Sequence, residues 1–360
     1  MTRIERLRKH FAPLSIDGLL VTEPHNIAYL TGFPLMAGDG CLLVTQDYAI
    51  LITDDRYQTA LKDFDNDEVQ GVITRDYYGS VAKLAKNLPV PVLGFEGTLS
   101  YSTYDVLDDL LSSDLVPLNN VVESLRRQKE PDELTQVTKA AQLQSKAYQW
   151  ILTQIHPGMG EIEVANLLDH WMKEHGASKA SFDTIVASGE NSAKPHWTAG
   201  DRLLKEHDPI TLDFGYYVNG YTADMTRTFF LGTPSDQLSN IYEVVNRARQ
   251  AVIKQIHPGA RGDQLDRAGR SVIEKAGFGK YFQHGMGHGI GLAIHELPAS
   301  YGPRTTRVHL STNEVITVEP GIYLPDVGGV RIEDDVVVTA NGCQILTTAS
   351  TDLTTIPVSD

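Results

Sequence analysis

The pentapeptide Gln154-Ile155-His156-Pro157-Gly158 returns as Gln255-Ile256-His257-Pro258-Gly259, 101 residues later. Each copy closes a stretch with helical spacing, turns at Pro-Gly and opens a second helical stretch, Glu161–Glu174 in one case and Asp263–Lys275 in the other. Each second stretch stops at a glycine, Gly176 or Gly277, as helices that end in a left-handed residue do. Matched context on both sides of the repeat reads as duplication. Two similar halves packed face to face leave a site between them.

Upstream the pattern changes. Ile16–Thr22, Gly40–Thr45, Tyr48–Thr53 and Val90–Phe95 are short apolar runs that read as buried strands, with helical spacing at Arg56–Phe64 and Tyr104–Ser112. Such alternation predicts a small α/β domain. Val121–Arg127 then leads to Pro131, which with Asp132 and Glu133 has the composition of a helix's first turn, so a long helix is expected from about residue 130 to Thr153. The boundary is placed at 126, giving domains 1–126 and 127–360 in an α+β chain.

Charge and cysteine content narrow the function. A net charge of −15 repels phosphate backbones and argues against sequence-independent nucleic-acid binding. Cys41 and Cys343 are too few for a disulfide framework or a cysteine zinc site, and suit a reducing compartment. The first residues are charged with no apolar signal core behind them. No run approaches the ~18 apolar residues of a membrane span. The expectation is a cytoplasmic protein that does not engage membranes.

The acids carry the chemistry. Pro209–Gly215 alternates as a strand, Asn219-Gly220 is a strong hairpin turn, and Tyr221–Leu231 returns. A two-residue loop at Asn219-Gly220 sets Asp213 opposite Thr226, with Asp224 on the same face as Thr226. Two acids on one buried face are costly unless a cation neutralises them. A second hairpin is expected from Glu314–Tyr323 and Val330–Thr339 about Gly328-Gly329, with Glu319 in one arm and Arg331 and Glu333 in the other. Asp334 and Asp335 adjoin Glu333, and pattern alone does not choose among them. Tyr281–Ile294 adds His284 and His288 among alternating glycines, with His295 just beyond. The glycines permit close backbone approach but do not match a dinucleotide fingerprint. His295-Glu296-Leu297-Pro298-Ala299 begins like a zinc-binding HExxH helix, yet Pro298 breaks the helix and Ala299 replaces the second histidine. Asp213, Asp224, Glu319 and Glu333 together balance two divalent cations, which at ~3.5–4 Å can share one nucleophilic oxygen. The plainer alternative is solvated or arginine-paired acids.

Five ordered motifs give these residues a context: LDFG at Leu212–Gly215, DMTRTF at Asp224–Phe229, HGMGHGIGL at His284–Leu292, VEPGIY at Val318–Tyr323 and VRIED at Val330–Asp334. The chain resembles the pita-bread metallopeptidases, which include prolidase, aminopeptidase P and methionine aminopeptidase. Asp17–Leu20 and Tyr29–Phe33 resemble the front domain of the first two. The resemblance implies a duplicated αβ catalytic domain behind the small α/β domain. It implies metal ligands Asp213, Asp224, His288, Glu319 and Glu333 for two divalent cations, with manganese favoured and cobalt or zinc compatible. It implies catalytic roles for Glu319, His295, His284 and His196, an Arg331 that supports the metal-binding carboxylates, and Tyr323 at the substrate pocket. The expected reaction is hydrolysis of Xaa-Pro bonds in di- or short peptides by a homodimer. Arg304 and Arg307 are candidates to hold a dipeptide's carboxylate. The alternative is a metal-free binding protein or a creatinase-like enzyme on the same fold.

Overall fold

A computed structural model describes residues 1–358, and the chain divides into two units, Met1–Arg126 and Arg127–Asp360. In the first unit the strands are β1 (Gly18–Val21), β2 (Gly40–Thr45), β3 (Ala49–Thr53), β4 (Gln70–Ile73), β5 (Val92–Glu96) and β6 (Asp114–Leu118). They form one mixed sheet in the order β4-β3-β2-β1-β5-β6. The strands legible in the sequence are the inner four, whose residues are almost all buried. The edges β4 and β6 are half-exposed, and Pro117 sits in β6, where a missing N–H is tolerated. Helices α1 (Tyr77–Asn87) and α2 (Tyr101–Leu110) bury Val81, Ala85 and Leu107 against Leu20, Leu43, Ile52 and Leu93. The helical stretch expected at Arg56–Phe64 is a 3₁₀ turn, Asp55–Tyr57, followed by a short helix, Gln58–Lys62.

The second unit opens with α3 (Pro131–Ile151), which has Pro131 in its first turn and the Glu130 N–H donating to the Glu133 carboxylate at 2.9 Å. With α4 (Glu161–Glu174) it covers a sheet of β7 (Ile185–Ser188), β8 (Pro209–Phe214), β11 (Met225–Leu231) and β19 (Thr354–Ile356), in the order β19-β11-β8-β7. The short pair β9 (Tyr217–Val218) and β10 (Tyr221–Thr222) makes the Asn219-Gly220 turn. Ile210, Leu212 and Phe214 face the helices and pack on Tyr148, Ile151, Leu168 and Met172. Each such side chain stabilises the fold by roughly 1.5–3 kcal/mol. Period-2 alternation then turns Thr211 and Asp213 to the opposite face.

The second half repeats the plan. Helices α5 (Asp236–Ile253) and α6 (Gly262–Lys275) cover β12 (Gly287–Gly289), β13 (Glu296–Tyr301), β14 (Val315–Val318), β17 (Asp334–Thr339) and β18 (Gly342–Ile345). Val245, Val252, Leu265 and Ile273 meet Ile316, Val318, Val336 and Val338. The repeated pentapeptides make the same turn. Gly158 and Gly259 have φ of 89° and 86°. Their N–H groups donate to Leu204 O at 2.8 Å and Leu310 O at 2.7 Å. His156 Nδ1 and His257 Nδ1 contact the next proline carbonyl at 2.9 and 2.8 Å. These histidines hold turns.

The second hairpin departs from expectation. It is split into two ladders, β14 with β17, and β15 (Gly321–Leu324) with β16 (Gly328–Arg331). Gly328 and Gly329 lie within β16, and the reversal falls before them, where Asp326 takes φ 63°. Gly329 is required by closeness: a Cβ there would run into the Ser192 carbonyl. Pro320 has no N–H to continue the first ladder. Glu319 and Glu333 therefore occupy the two breaks between ladders, where strand pairing no longer dictates their direction.

Candidate metal centre

β8 pairs with β11 so that Asp213 faces Thr226, the register implied by a two-residue turn. Asp224 precedes β11, His288 is the middle residue of β12, and Glu319 and Glu333 come from the ladder breaks. All five line one cavity of about 260 Å³, together with His196, His284, His295 and Arg331. Single ligand atoms of Asp224, His288 and Glu333 lie within 4.8 Å of one another. His288 Nε2 is 3.7 Å from both Asp224 Oδ2 and Glu319 Oε1. That spacing is too long for a hydrogen bond and leaves room for an ion between them.

The electrostatics point the same way. Asp213, Asp224, His288 and Glu333 are each at most 8% exposed. Asp213 Oδ1, Asp224 Oδ1 and Glu333 Oε1 are buried without a hydrogen-bond partner. Burial, compounded by the charges of Glu333 and Asp213, raises Asp224 well above the usual carboxylate range. Burial likewise raises Glu333, with Glu319 and Asp213 adding. Burial pushes Glu319 up to about 7, opposed by Arg331 and reinforced by Asp213. Unpartnered acids at this density cost several kcal/mol per charge unless cations compensate them. The donor set, carboxylate oxygens plus one imidazole, fits divalent metal ions. His288 Nδ1 donates to Gly289 O at 3.0 Å, which leaves the Nε2 lone pair turned toward the acids. Burial holds the ring neutral, lowering its pKa to about 4.

Around this centre Arg331 ties the carboxylates together. Its Nη2 donates to Asp213 Oδ2 at 2.6 Å and its Nε to Thr226 Oγ1 at 3.1 Å, while Thr226 donates to Glu333 Oε2 at 2.6 Å. Arg331 Nη1 also donates to the Tyr323 hydroxyl at 2.8 Å, which passes its own proton toward His284 Nε2 at 2.8 Å. His284 Nδ1 donates to Gly285 O at 2.8 Å, and burial with nearby Arg331 lowers this ring to about 3. The His295 ring stands 4.4 Å from that of His288, and burial lowers its pKa also. Close packing requires the glycines here: a Cβ at Gly287 would strike the Thr317 carbonyl, and one at Gly289 the Leu297 carbonyl.

Two expectations shift. Tyr323 does not line the cavity; its hydroxyl is engaged one layer back, between Arg331 and His284. Arg304 and Arg307 are exposed and outside the cavity wall, because 302–309 forms a surface turn. The sequence reading left Thr226 without a role, although its register opposite Asp213 was the available signal. It also passed over Phe182, Ile185, Pro195 and Ile294, which give the cavity an apolar wall; nothing in their spacing marked them.

Residues 135–340 match metallopeptidase family M24, and residues 3–128 match the Creatinase/Prolidase N-terminal domain. The chain belongs to metallopeptidase family M24. Within that family it is 35% identical to an Xaa-Pro dipeptidase of Pyrococcus furiosus, over 98% of this chain and 99% of the relative. The solved structure of an Xaa-Pro dipeptidase from Bacillus anthracis superposes with a TM-score of 0.94 at 40% identity, covering 98% of this chain and 99% of that one. An X-Pro aminopeptidase from Thermotoga maritima gives 0.89 at 34% identity, covering 98% and 100%. The family is one of hydrolases that use divalent metal ions, and the pita-bread architecture is shared with these solved structures.

Proposed function

We propose that the chain hydrolyses the peptide bond before proline in dipeptides or short peptides, using two divalent cations held by Asp213, Asp224, His288, Glu319 and Glu333. The observation that carries this reading is the convergence of those five side chains with three buried carboxylate oxygens left unpartnered. The amide before proline has no N–H and a restricted φ, so recognition rests on the amino terminus, the carbonyl and the ring. The apolar wall of Phe182, Ile185, Pro195 and Ile294 suits that ring. When bound, the cations would supply Lewis acidity toward the carbonyl and lower the pKa of the attacking water.

The protein's residues do the rest. Glu319, at the edge of the ligand set, takes a proton from the attacking water and returns it to the proline nitrogen. His295, neutral with one N–H, donates to the oxygen that gains charge, and His196 faces the same cavity. Arg331 holds Asp213 in place directly and reaches Glu333 through Thr226. His284, with both ring nitrogens engaged, forms a fixed wall beside Glu319, 3.9 Å away.

Mostly oxygen donors with one imidazole favour manganese, with cobalt and zinc compatible. The front domain's match to the creatinase/prolidase type supports a homodimer. Two free cysteines suit the cytoplasm, and among the described residues no helix is long and apolar enough to cross a membrane. The test is turnover of Ala-Pro and Ala-Pro-Ala by metal-stripped protein re-supplied with single cations. Activity on either peptide restored by manganese supports the reading, and activity on the tripeptide assigns an aminopeptidase rather than a strict dipeptidase. Full activity after chelation contradicts it.

A further inference from the structure

We infer that Glu161 is a positioning residue for His196, an inference that rests on the proposed role of His196 in the cavity. Glu161 opens α4 and its side chain is fully buried, yet it does not serve its own helix. The N-terminus of α4 is closed instead by Glu163, whose carboxylate accepts the Gly160 N–H at 3.3 Å. Both oxygens of Glu161 are turned to residues 188–200, the segment that carries His196. Oε1 accepts from Ser188 N at 2.8 Å, Ser188 Oγ at 2.6 Å and Asn191 Nδ2 at 3.1 Å. Oε2 accepts from Trp197 Nε1 at 2.7 Å and Gly200 N at 3.3 Å.

One carboxylate thus gathers five donors that flank His196, one of them the indole adjoining it in sequence. The segment has little regular structure to hold it otherwise, with a single 3₁₀ turn over Gly189–Ala193. Its other side rests on the strand that carries Arg331, where the Gly329 N–H donates to Ser192 Oγ at 2.8 Å. The segment is therefore clamped between α4 and the wall of the metal centre, and His196 projects from it into the cavity. Every partner of Glu161 is a donor, so an acceptor-only side chain is required at this position. Glutamine has the same shape but would set an NH2 group against at least two N–H or O–H donors, and the segment must shift to relieve them. A displacement of ~1 Å in a group that contacts substrate can cost about 100-fold in rate.

A double-mutant cycle on the full-length, metal-loaded enzyme tests this, with Ala-Pro hydrolysis, metal content and thermal midpoint read for each variant. His196→Ala is expected to lower kcat/KM about 100-fold. Glu161→Gln is expected to lower it about 10- to 100-fold with two cations per chain retained. In the His196→Ala background, Glu161→Gln should add less than about 3-fold, because both changes remove the same function. Trp197→Phe deletes one donor and leaves the core untouched, so it decides the matter should Glu161→Gln not fold. Its expected loss is about 3- to 10-fold, and it should likewise vanish in the His196→Ala background. Wild-type kcat/KM in the folded Glu161 or Trp197 variant, or losses that multiply with that of His196→Ala, overturn the proposal. Full activity of His196→Ala overturns the role of His196 and the proposal together. A damaged His196→Ala beside an intact Glu161→Gln overturns the proposal alone.

Discussion

Glu333 and Asp334 are adjacent, equally buried and oppositely treated. Asp334 sits between two arginines: Arg227 Nη2 donates to its Oδ1 at 2.7 Å, and Arg249 Nη1 reaches its Oδ2. Glu333, one residue earlier, receives one hydroxyl proton from Thr226 and keeps Oε1 free. The protein thus shows both solutions to a buried acid within one dipeptide. Around Asp334 the compensating charge is built into the chain, so that region is complete as folded. Around Glu333 the neighbours are Asp213, Asp224 and Glu319, and among the described residues Arg331 is the one arginine lining the cavity. The acids proposed to bind metal differ from the structural acid in what faces them, since burial and the carboxylate group are the same.

The largest expected effect is on activity. Glu319→Gln should lower turnover of an Xaa-Pro substrate by about 10²–10⁴-fold without lowering the thermal midpoint of the metal-free protein, because it removes one of several repelling acids. Steady-state kinetics and a thermal melt read both. Near-wild-type cleavage refutes the assignment of Glu319. The arginine-paired acid should behave in the reverse way: Asp334→Asn leaves Arg227 and Arg249 under-compensated and should cost about 3–5 kcal/mol of stability, measured by chemical denaturation.

Much of this was legible in the sequence, and for identifiable reasons. Asn219-Gly220 admits a two-residue turn, and that turn alone put Asp213 opposite Thr226, as observed. The repeated His-Pro-Gly segment told of two matching halves, because each copy needs a glycine at positive φ after a helix. Four alternating glycines signalled close approach, which the Thr317 and Leu297 carbonyls provide. What stayed hidden depends on contacts between distant segments. No local pattern separates Glu333 from Asp334, since the arginines that decide lie 107 and 85 residues away. Tyr323 reads as a pocket residue until Arg331 and His284 claim its hydroxyl. Gly328-Gly329 reads as a turn because the need for glycine at 329 comes from the Ser192 carbonyl, far off in sequence.

pH sharpens the contrast further in metal-free protein. The folded-state pKa of Glu319 is about 7 against 4.5 for the free side chain, and Asp224 and Glu333 are raised as well. The folded state then holds more protons than the unfolded chain, so stability falls as pH rises through the folded values. His284 and His288 are depressed from 6.5 to about 3 and about 4, so they cost stability as pH falls below 6.5 and oppose the acids in that range. The clean window lies above pH 6.5. There the metal-free protein should lose thermal stability toward pH 8, and saturating divalent cation should remove the loss. A melt that is flat with pH in chelator contradicts the uncompensated cluster.

The smallest effect expected is that of Thr226→Val. It keeps the strand and its shape but deletes the hydroxyl that links Arg331 to Glu333. Weaker metal affinity by about 10-fold, read by titration against a competing chelator, is predicted, with little change in folding.

The most direct test is to count metal ions in dialysed protein by elemental analysis, for the wild type, Glu333→Gln and Asp334→Asn. Two divalent cations per chain are expected in the wild type, at least one fewer when Glu333 loses its charge, and two still in whatever Asp334→Asn protein folds. A wild-type chain that binds none at saturating manganese, cobalt or zinc, or a Glu333→Gln chain that keeps both, would contradict this expectation.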